Sequence, residues 1–170
     1  MHVDIRTEEP SDIAVIAEVT EQAFRHAAHT CGREHLLVAD LRAAGALTVS
    51  LVAVANREIV GHVAASPVTV PESAGGWFGI GPLSVLPNFQ RKGIGSRLME
   101  AALTALRTRG ARGCVLVGDP KFYSRFGFHS DPTLTVPGIP PEVCLNFRLQ
   151  PNNDHGFANF HPAFLRALGG

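Results

Sequence analysis

Two features of this chain are placed to do chemistry: the run Gln90-Arg91-Lys92-Gly93-Ile94-Gly95 and the lone tyrosine, Tyr123. In the run, two glycines flank one residue, so the backbone can approach a ligand without Cβ atoms in the way, and an apolar helical period begins at Ile94. The first N–H groups of a helix have no intrahelical acceptor, which makes this arrangement an anion site. Arg91 and Lys92 add two cations beside those donors and suit a pyrophosphate better than a single carboxylate. On spacing alone, an ordinary glycine-containing helix start looks the same.

The elements on either side must hold that loop in place. Leu83-Ser84-Val85 alternates as a strand does, and Pro87-Asn88 ends it. A helix follows over about 92–109, with Ile94, Leu98, Ala101, Ala105 and Leu106 on its buried side and Gly110 as its stop. Two other phosphate-binding patterns fail. No Gly-Lys-Ser/Thr closes a Gly-x-x-x-x spacer, and the dinucleotide fingerprint lacks both its third glycine, where Leu98 stands, and its ribose-binding acid, where Gly113 stands.

Gln90-Arg91-Lys92-Gly93-Ile94-Gly95, placed after that strand, resembles the Gln/Arg-x-x-Gly-x-Gly/Ala signature of the GCN5-related N-acetyltransferases, the GNAT family. Gly118-Asp119-Pro120-Lys121-Phe122-Tyr123-Ser124-Arg125-Phe126-Gly127-Phe128 is similar to the family's Tyr-x-x-x-Gly-Phe segment. Its Gly-Asp-Pro form, together with Gly156-Phe157-Ala158-Asn159-Phe160-His161-Pro162-Ala163-Phe164, resembles the YhbS-like branch. The likeness spans about residues 3–165 and is strongest over 79–128.

The resemblance implies an α/β (α+β) fold with a mixed, mostly antiparallel sheet flanked by helices. Strands 77–86 and 114–117 would splay apart at an acetyl-CoA site. It implies one domain over 1–170, with a motif core at about 79–128 and C-terminal strands and tail over 129–170. Acetyl-CoA would be the acetyl donor, its pyrophosphate held by Gln90, Arg91, Lys92, Gly93, Ile94, Gly95 and Ser96. The main chain of Leu83, Ser84 and Val85 would bond the pantetheine arm and face the acetyl carbonyl, where an N–H stabilises an oxyanion. A primary amine on a small molecule or peptide would attack directly in a ternary complex, with no metal. Tyr123 would protonate the departing sulfur; its phenol, with an ordinary pKa of about 10, is protonated at neutral pH. A tyrosine packed at a helix end is the alternative.

The base that deprotonates the amine stays open, because strand 77–86 carries no Asp or Glu, although some family members use a glutamate there. Glu21, His62, Glu72, Asp119 and a relayed water are the alternatives, and Asp119 also reads as a helix cap. Deprotonating a lysine-type amine at pH 7 costs roughly 4–5 kcal/mol, against about 1 for an α-amine.

The remaining expectations bound the class. A length of 170 residues, 45% hydrophobic and 18% charged, suits one globular domain with a sizeable core. No apolar run approaches the roughly 20 residues of a membrane span and no signal region opens the chain, which points to the cytoplasm. A net charge of zero argues against nucleic-acid binding. Acids crowd residues 1–40 and bases crowd 88–125, a pair of opposite fields suited to a cationic acceptor and an anionic donor. Cys31, Cys114 and Cys144 form no C-x-x-C pair, so neither a disulfide nor a zinc knuckle is expected, and Cys114 lies in a buried apolar run. His26, His29 and His35 near Cys31 have the look of solvated helix residues rather than metal ligands. A catalytically silent acyl-CoA-binding module and a nucleotide-dependent oxidoreductase are the competing classes, and homodimerisation stays open.

Along the chain, Val3 to Arg6 reads as a first strand, followed by helices at about 11–26 and 34–43. Strands 47–55 and 59–68 form a hairpin around Asn56-Arg57-Glu58, and Gly79, Gly81 and Pro82 predict a bulge in strand 77–86. A helix crossover leads to strand 114–117 in parallel, and the apolar runs from Leu134 to Leu149 are expected to complete the sheet.

Overall fold

A computed structural model describes residues 1–28 and 30–167. The chain runs β1 (Val3–Thr7), α1 (Ile13–Phe24), α2 (Glu34–Ala43), β2 (Val49–Ala55), β3 (Glu58–Val68), β4 (Trp77–Val85) and α3 (Ile94–Thr108). It continues with β5 (Gly113–Val117), α4 (Pro120–Tyr123), β6 (Leu134–Thr135), β7 (Cys144–Arg148), β8 (Gly156–Phe157) and α5 (Pro162–Ala167). Six strands form one sheet in the order β1-β2-β3-β4-β5-β7. All its neighbours are antiparallel except β4 and β5, whose α3 crossover makes them parallel.

Alternation along the strands decides which helix covers which face. Ala53 and Val63 point into the cluster that holds Leu98 and Met99 of α3, while Val52, one residue away, packs with Ile16 of α1 and Val38 of α2. The β2–β3 hairpin turns on Asn56 and Arg57, both left-handed at φ 51° and 67°, so the connection is two residues long rather than three. Two successive positive φ angles match the twist of the flanking strands. The expected bulge is present: between Val63↔Leu83 and Ala65↔Ile80, one residue of β3 faces Gly81 and Pro82 of β4.

Three expectations need correction. The motif helix begins at Ile94 rather than 92, and its buried stripe is Ile94, Leu98, Met99, Ala102, Leu103 and Leu106, with Ala101 and Ala105 half-buried at its margin. Strand β2 begins at Val49, because Thr48 bonds back to Ala46 and to Ala65. Of the C-terminal runs only β7 joins the large sheet; β6 pairs with β8 in a separate parallel ribbon. Pro137, Pro140 and Pro141 lie between β6 and β7, and a proline has no N–H to continue a ladder.

The C-terminal segment is fastened where β4 and β5 begin. Asp154 accepts from Arg112 (Nε at 2.8 Å, Nη2 at 2.9 Å), from the indole N–H of Trp77 at 2.7 Å and from Ser73 Oγ at 2.9 Å. The Arg112 bonds, more than the opposing burial, hold this carboxyl far below the ordinary range. Trp77 is 1% exposed, so Asp154→Ala strands its N–H in the core. That loss alone is expected to lower stability by about 1–3 kcal/mol. Urea denaturation measures it, and an unchanged midpoint would show that the clamp contributes nothing.

Candidate active site

The loop between β4 and α3 is held open by its own backbone. Arg91 and Gly93 are left-handed at φ 61° and 82°, and Gly93 is the N-cap of α3 without a capping side chain. Among the described residues, the N–H groups from Arg91 to Ser96 have no backbone acceptor, and the first bond of the helix runs from Arg97 to Gly93. Successive N–H groups in this conformation form a concave nest at the positive end of a 15-residue helix. Gln90 ties the loop to the strand by donating from Nε2 to the Val85 carbonyl at 3.0 Å. Arg91 and Lys92 lie exposed at the tip, with Lys92 Nζ 5.7 Å from the centre of the Phe89 ring.

Beside the nest the sheet comes apart. Among the described residues, strands β4 and β5 pair only at Trp77↔Gly113, Phe78↔Cys114 and Gly79↔Val115. From Ile80 to Val85, β4 has β3 on one edge and, among the described residues, no strand partner on the other, while β5 goes on beside β7 to Val117, which is 47% exposed. An extended polyamide arm fits such an edge, because the free main-chain groups can bond to it as a strand would.

The expected binding residues divide by face. A Cβ on Gly95 would sit 3.7 Å from Phe122, 3.8 Å from Val85 and 4.0 Å from Leu83, so these side chains converge on the helix start. None of those contacts forbids a side chain at Gly95; the space beside it is left free by the protein itself. Ile94 is 1% exposed and turned into the core, so only its N–H faces the loop. Ser84 points away from Leu83 and Val85, is 1% exposed, and among the described residues its Oγ has no partner. Ser96 is half-buried in the first turn.

Tyr123 ends α4, whose N-cap Asp119 accepts from the Lys121 N–H at 2.9 Å with Pro120 at the first position. One edge of the phenol ring lies against Gly118, where any Cβ would collide with it. It packs edge-on against Phe122 at 4.8 Å and against Phe128 at 6.1 Å. Among the described residues its hydroxyl has no hydrogen-bond partner. Burial, reinforced by Asp119, pushes the phenol up to about 12, so it keeps its proton across the physiological range. Neither Phe122 nor the seat on Gly118 is signalled by the sequence pattern.

The four candidate bases stand far apart in kind. Glu21 and Glu72 are exposed, and Asp119 is spent on its cap. His62 is wholly buried, with Nε2 2.8 Å from Ser50 Oγ, and burial lowers it to about 4. The acidity of the N-terminal segment is smaller than its count of residues, since Arg42 neutralises Glu8 and Arg6 neutralises Asp12. No group of three metal-ligating side chains occurs among the described residues, and His29 lies outside them. Cys31 is exposed, and burial raises the Cys114 thiol, an inert core group.

A nest of unpaired N–H groups at a helix start, opening onto a gap between two parallel strands of a mostly antiparallel sheet, defines a site for a ligand with an anionic head and an extended arm. Residues 13–128 match the Acetyltransferase (GNAT) family. The chain is 37% identical over 170 residues to the uncharacterised N-acetyltransferase YhbS of Escherichia coli strain K12, covering 95% of this chain and 98% of that protein. A GNAT acetyltransferase of Brucella melitensis, solved in complex with acetyl-CoA, superposes with a TM-score of 0.85 at 43% identity, over 96% of this chain and 98% of that one. Escherichia coli YhbS, solved in complex with CoA, gives 0.86 at 32% identity over 98% and 93%. The chain belongs to the GNAT family, the class of N-acetyltransferases that take their acetyl group from acetyl-CoA. No described helix is long and apolar enough to cross a membrane.

Proposed function

We propose that this protein works as a single cytoplasmic domain that transfers the acetyl group of acetyl-CoA to a primary amine on a small molecule or peptide, by direct attack in a ternary complex. The observation that carries the reading is the run of free N–H groups from Arg91 to Ser96 at the mouth of the β4–β5 gap. Those donors, with Arg91 and Lys92 at the rim, hold a pyrophosphate. The unpaired edge of β4 around Leu83, Ser84 and Val85 holds the arm that follows it. Bound acetyl-CoA supplies a thioester carbonyl and a thiol leaving group. Main-chain N–H groups of β4 meet the charge that develops on the carbonyl oxygen, and the protonated Tyr123 hydroxyl donates to the sulfur. Neutral overall charge and the absence of a dinucleotide fingerprint disfavour nucleic acid and nicotinamide as partners.

The test is calorimetric titration with acetyl-CoA, paired with a screen of amines read by CoA release. Binding without turnover of any amine would instead make the protein an acyl-CoA-binding module. Gly95→Val sharpens the site assignment. Its Cβ is accommodated by the protein, so the variant is expected to fold, while the added methyls enter the space beside the pyrophosphate cradle. Affinity for acetyl-CoA should fall by roughly tenfold or more, about 1.4 kcal/mol. Equal affinity in variant and wild type would move the anion elsewhere.

A further inference from the structure

Phe122 stands between the nest and a cation that lies outside it. The tip of its ring lies 3.7 Å from where a Cβ on Gly95 would be, and the guanidinium carbon of Arg125 sits over the ring, 4.8 Å from its centre. Arg125 belongs to the 3₁₀ turn Ser124–Phe126 that follows α4. Tyr123 and Phe126 brace the Phe122 ring edge-on, with ring centres 4.8 and 5.4 Å away. The cation is therefore held one ring's width from the start of α3.

No acid answers its charge among the described residues. Arg6, Arg42, Arg112, Arg148 and Arg166 each pair with a carboxylate, and Arg125 does not. Asp119, on the same short helix, is spent on its cap. An arginine in a last turn can donate to the closing carbonyls, but among the described residues Arg125 makes no such bond. Arg107 also rests on a ring, that of Phe147, but at the far end of α3, about 20 Å along the axis from Ile94. Cations gathered at the positive end of a helix repel one another until an anion arrives. A pyrophosphate diester brings two negative charges, which Arg91, Lys92 and the helix start already match. Arg125 is left over, on the side where Phe122 lies.

We propose, resting on the acetyl-CoA reading above, that Arg125 recognises the ribose 3′-phosphate of the donor. In CoA that monoester and the pyrophosphate hang from O3′ and O5′ of one ribose. Six bonds join the two phosphorus atoms, the length of two extended residues, so they stand at most about 7 Å apart. A pyrophosphate on the nest thus brings the second phosphate to the side of the ring where the guanidinium lies. The monoester carries about 1.5–2 negative charges at neutral pH. A guanidinium fork meets such a group with two parallel N–H bonds, and the stack on Phe122 sets its plane beforehand, so little freedom is lost on binding. Phosphopantetheine carried on a protein has no ribose phosphate, so the contact selects free acetyl-CoA over an acyl carrier.

Acetyl-CoA and acetyl-3′-dephospho-CoA differ by that phosphate alone. Calorimetric titration of the wild type with both reads the contact without any mutation, and the dephospho donor should bind roughly tenfold or more weakly. Arg125 and Lys121 are both exposed, so neither side chain holds the core together. Arg125→Gln should lose roughly tenfold or more in affinity for acetyl-CoA and less than about twofold for the dephospho donor, so the gap between the donors closes. Lys121→Gln removes the same charge two residues before the end of α4 and should keep the wild-type gap. Equal affinity of the wild type for the two donors, a gap that survives in Arg125→Gln, or a gap that closes in Lys121→Gln would overturn the assignment and leave the acetyl-CoA reading standing. A wild type that binds neither donor would overturn that reading, and the contact with it.

Discussion

Tyr123→Phe should lower turnover by on the order of 10²–10⁴-fold, the usual weight of a general acid, with acetyl-CoA affinity and folding left close to wild type. The separation of the two effects follows from how the ring is held. Its packing on Gly118, Phe122 and Phe128 is retained in phenylalanine, and among the described residues the hydroxyl has no partner to be orphaned by its removal. Burial, with Asp119 adding to it, pushes the phenol up to about 12, so the hydroxyl keeps the proton that a general acid would have to give across the physiological range. An interaction made only as the sulfur departs should lower kcat and kcat/KM together and leave KM unmoved. Turnover within about threefold of wild type, a difference of only roughly 0.7 kcal/mol, would remove Tyr123 from the chemistry of a reaction limited by bond breaking. Gly118 offers an independent handle on the same group, since any side chain there displaces the ring without touching the hydroxyl.

What could be read from the sequence is what lies close together along it. Gly93, Gly95 and the helix that starts between them are neighbours in the chain, so their spacing, taken with the strand before them and the cations Arg91 and Lys92, points to an anion site at a helix start. Tyr123 is legible for the same reason, as part of an eleven-residue run that folds as one short helix and turn. Orientation within that run is less legible. Ser84 and Ile94 belong to the motif by position, yet strand alternation and the core turn their side chains away from the gap. Residues that meet only through strand register leave no local signal at all. Glu8, Ser50 and His62 come together because β1, β2 and β3 pair as they do, and a slip of one residue would send Ser50 to the α3 face. Asp154 reaches Trp77 across 77 positions of chain, and prolines around β6 and β7 divert strands that periodicity alone would have added to the large sheet. Charge counting fails in a related way, because Arg42 and Arg6 fold back onto the acids whose surplus the N-terminal segment advertises.

His62 should also make the fold sensitive to acid, by about 3 kcal/mol between pH 7 and pH 4. Burial, the dominant influence, and Arg42 lower its pKa, while Glu8 partly restores it; the balance leaves the folded-state value at about 4, against about 6.5 for the unfolded chain. Between those two values the unfolded state holds a proton that the native state does not, so stability rises with pH across the window and is fully present above it. Lowering the pH through 6.5 therefore erodes stability, and below about 4 the loss is complete because both states are protonated. The difference of about 2.5 units, at 1.36 kcal/mol each, sets the size. Carboxylates held low in the native state, among them Asp12, Asp131 and Asp154, act in the same direction at more acid pH, so the wild-type curve alone does not isolate the histidine. His62→Gln does, because its amide can still donate to Ser50 but has nothing to titrate. Urea denaturation of both proteins from pH 7 to pH 4 should show their stability difference drifting steadily in favour of the variant, with most of the drift complete by pH 4. A difference that stays level across that range would mean that the imidazole is solvated or already charged in the folded protein.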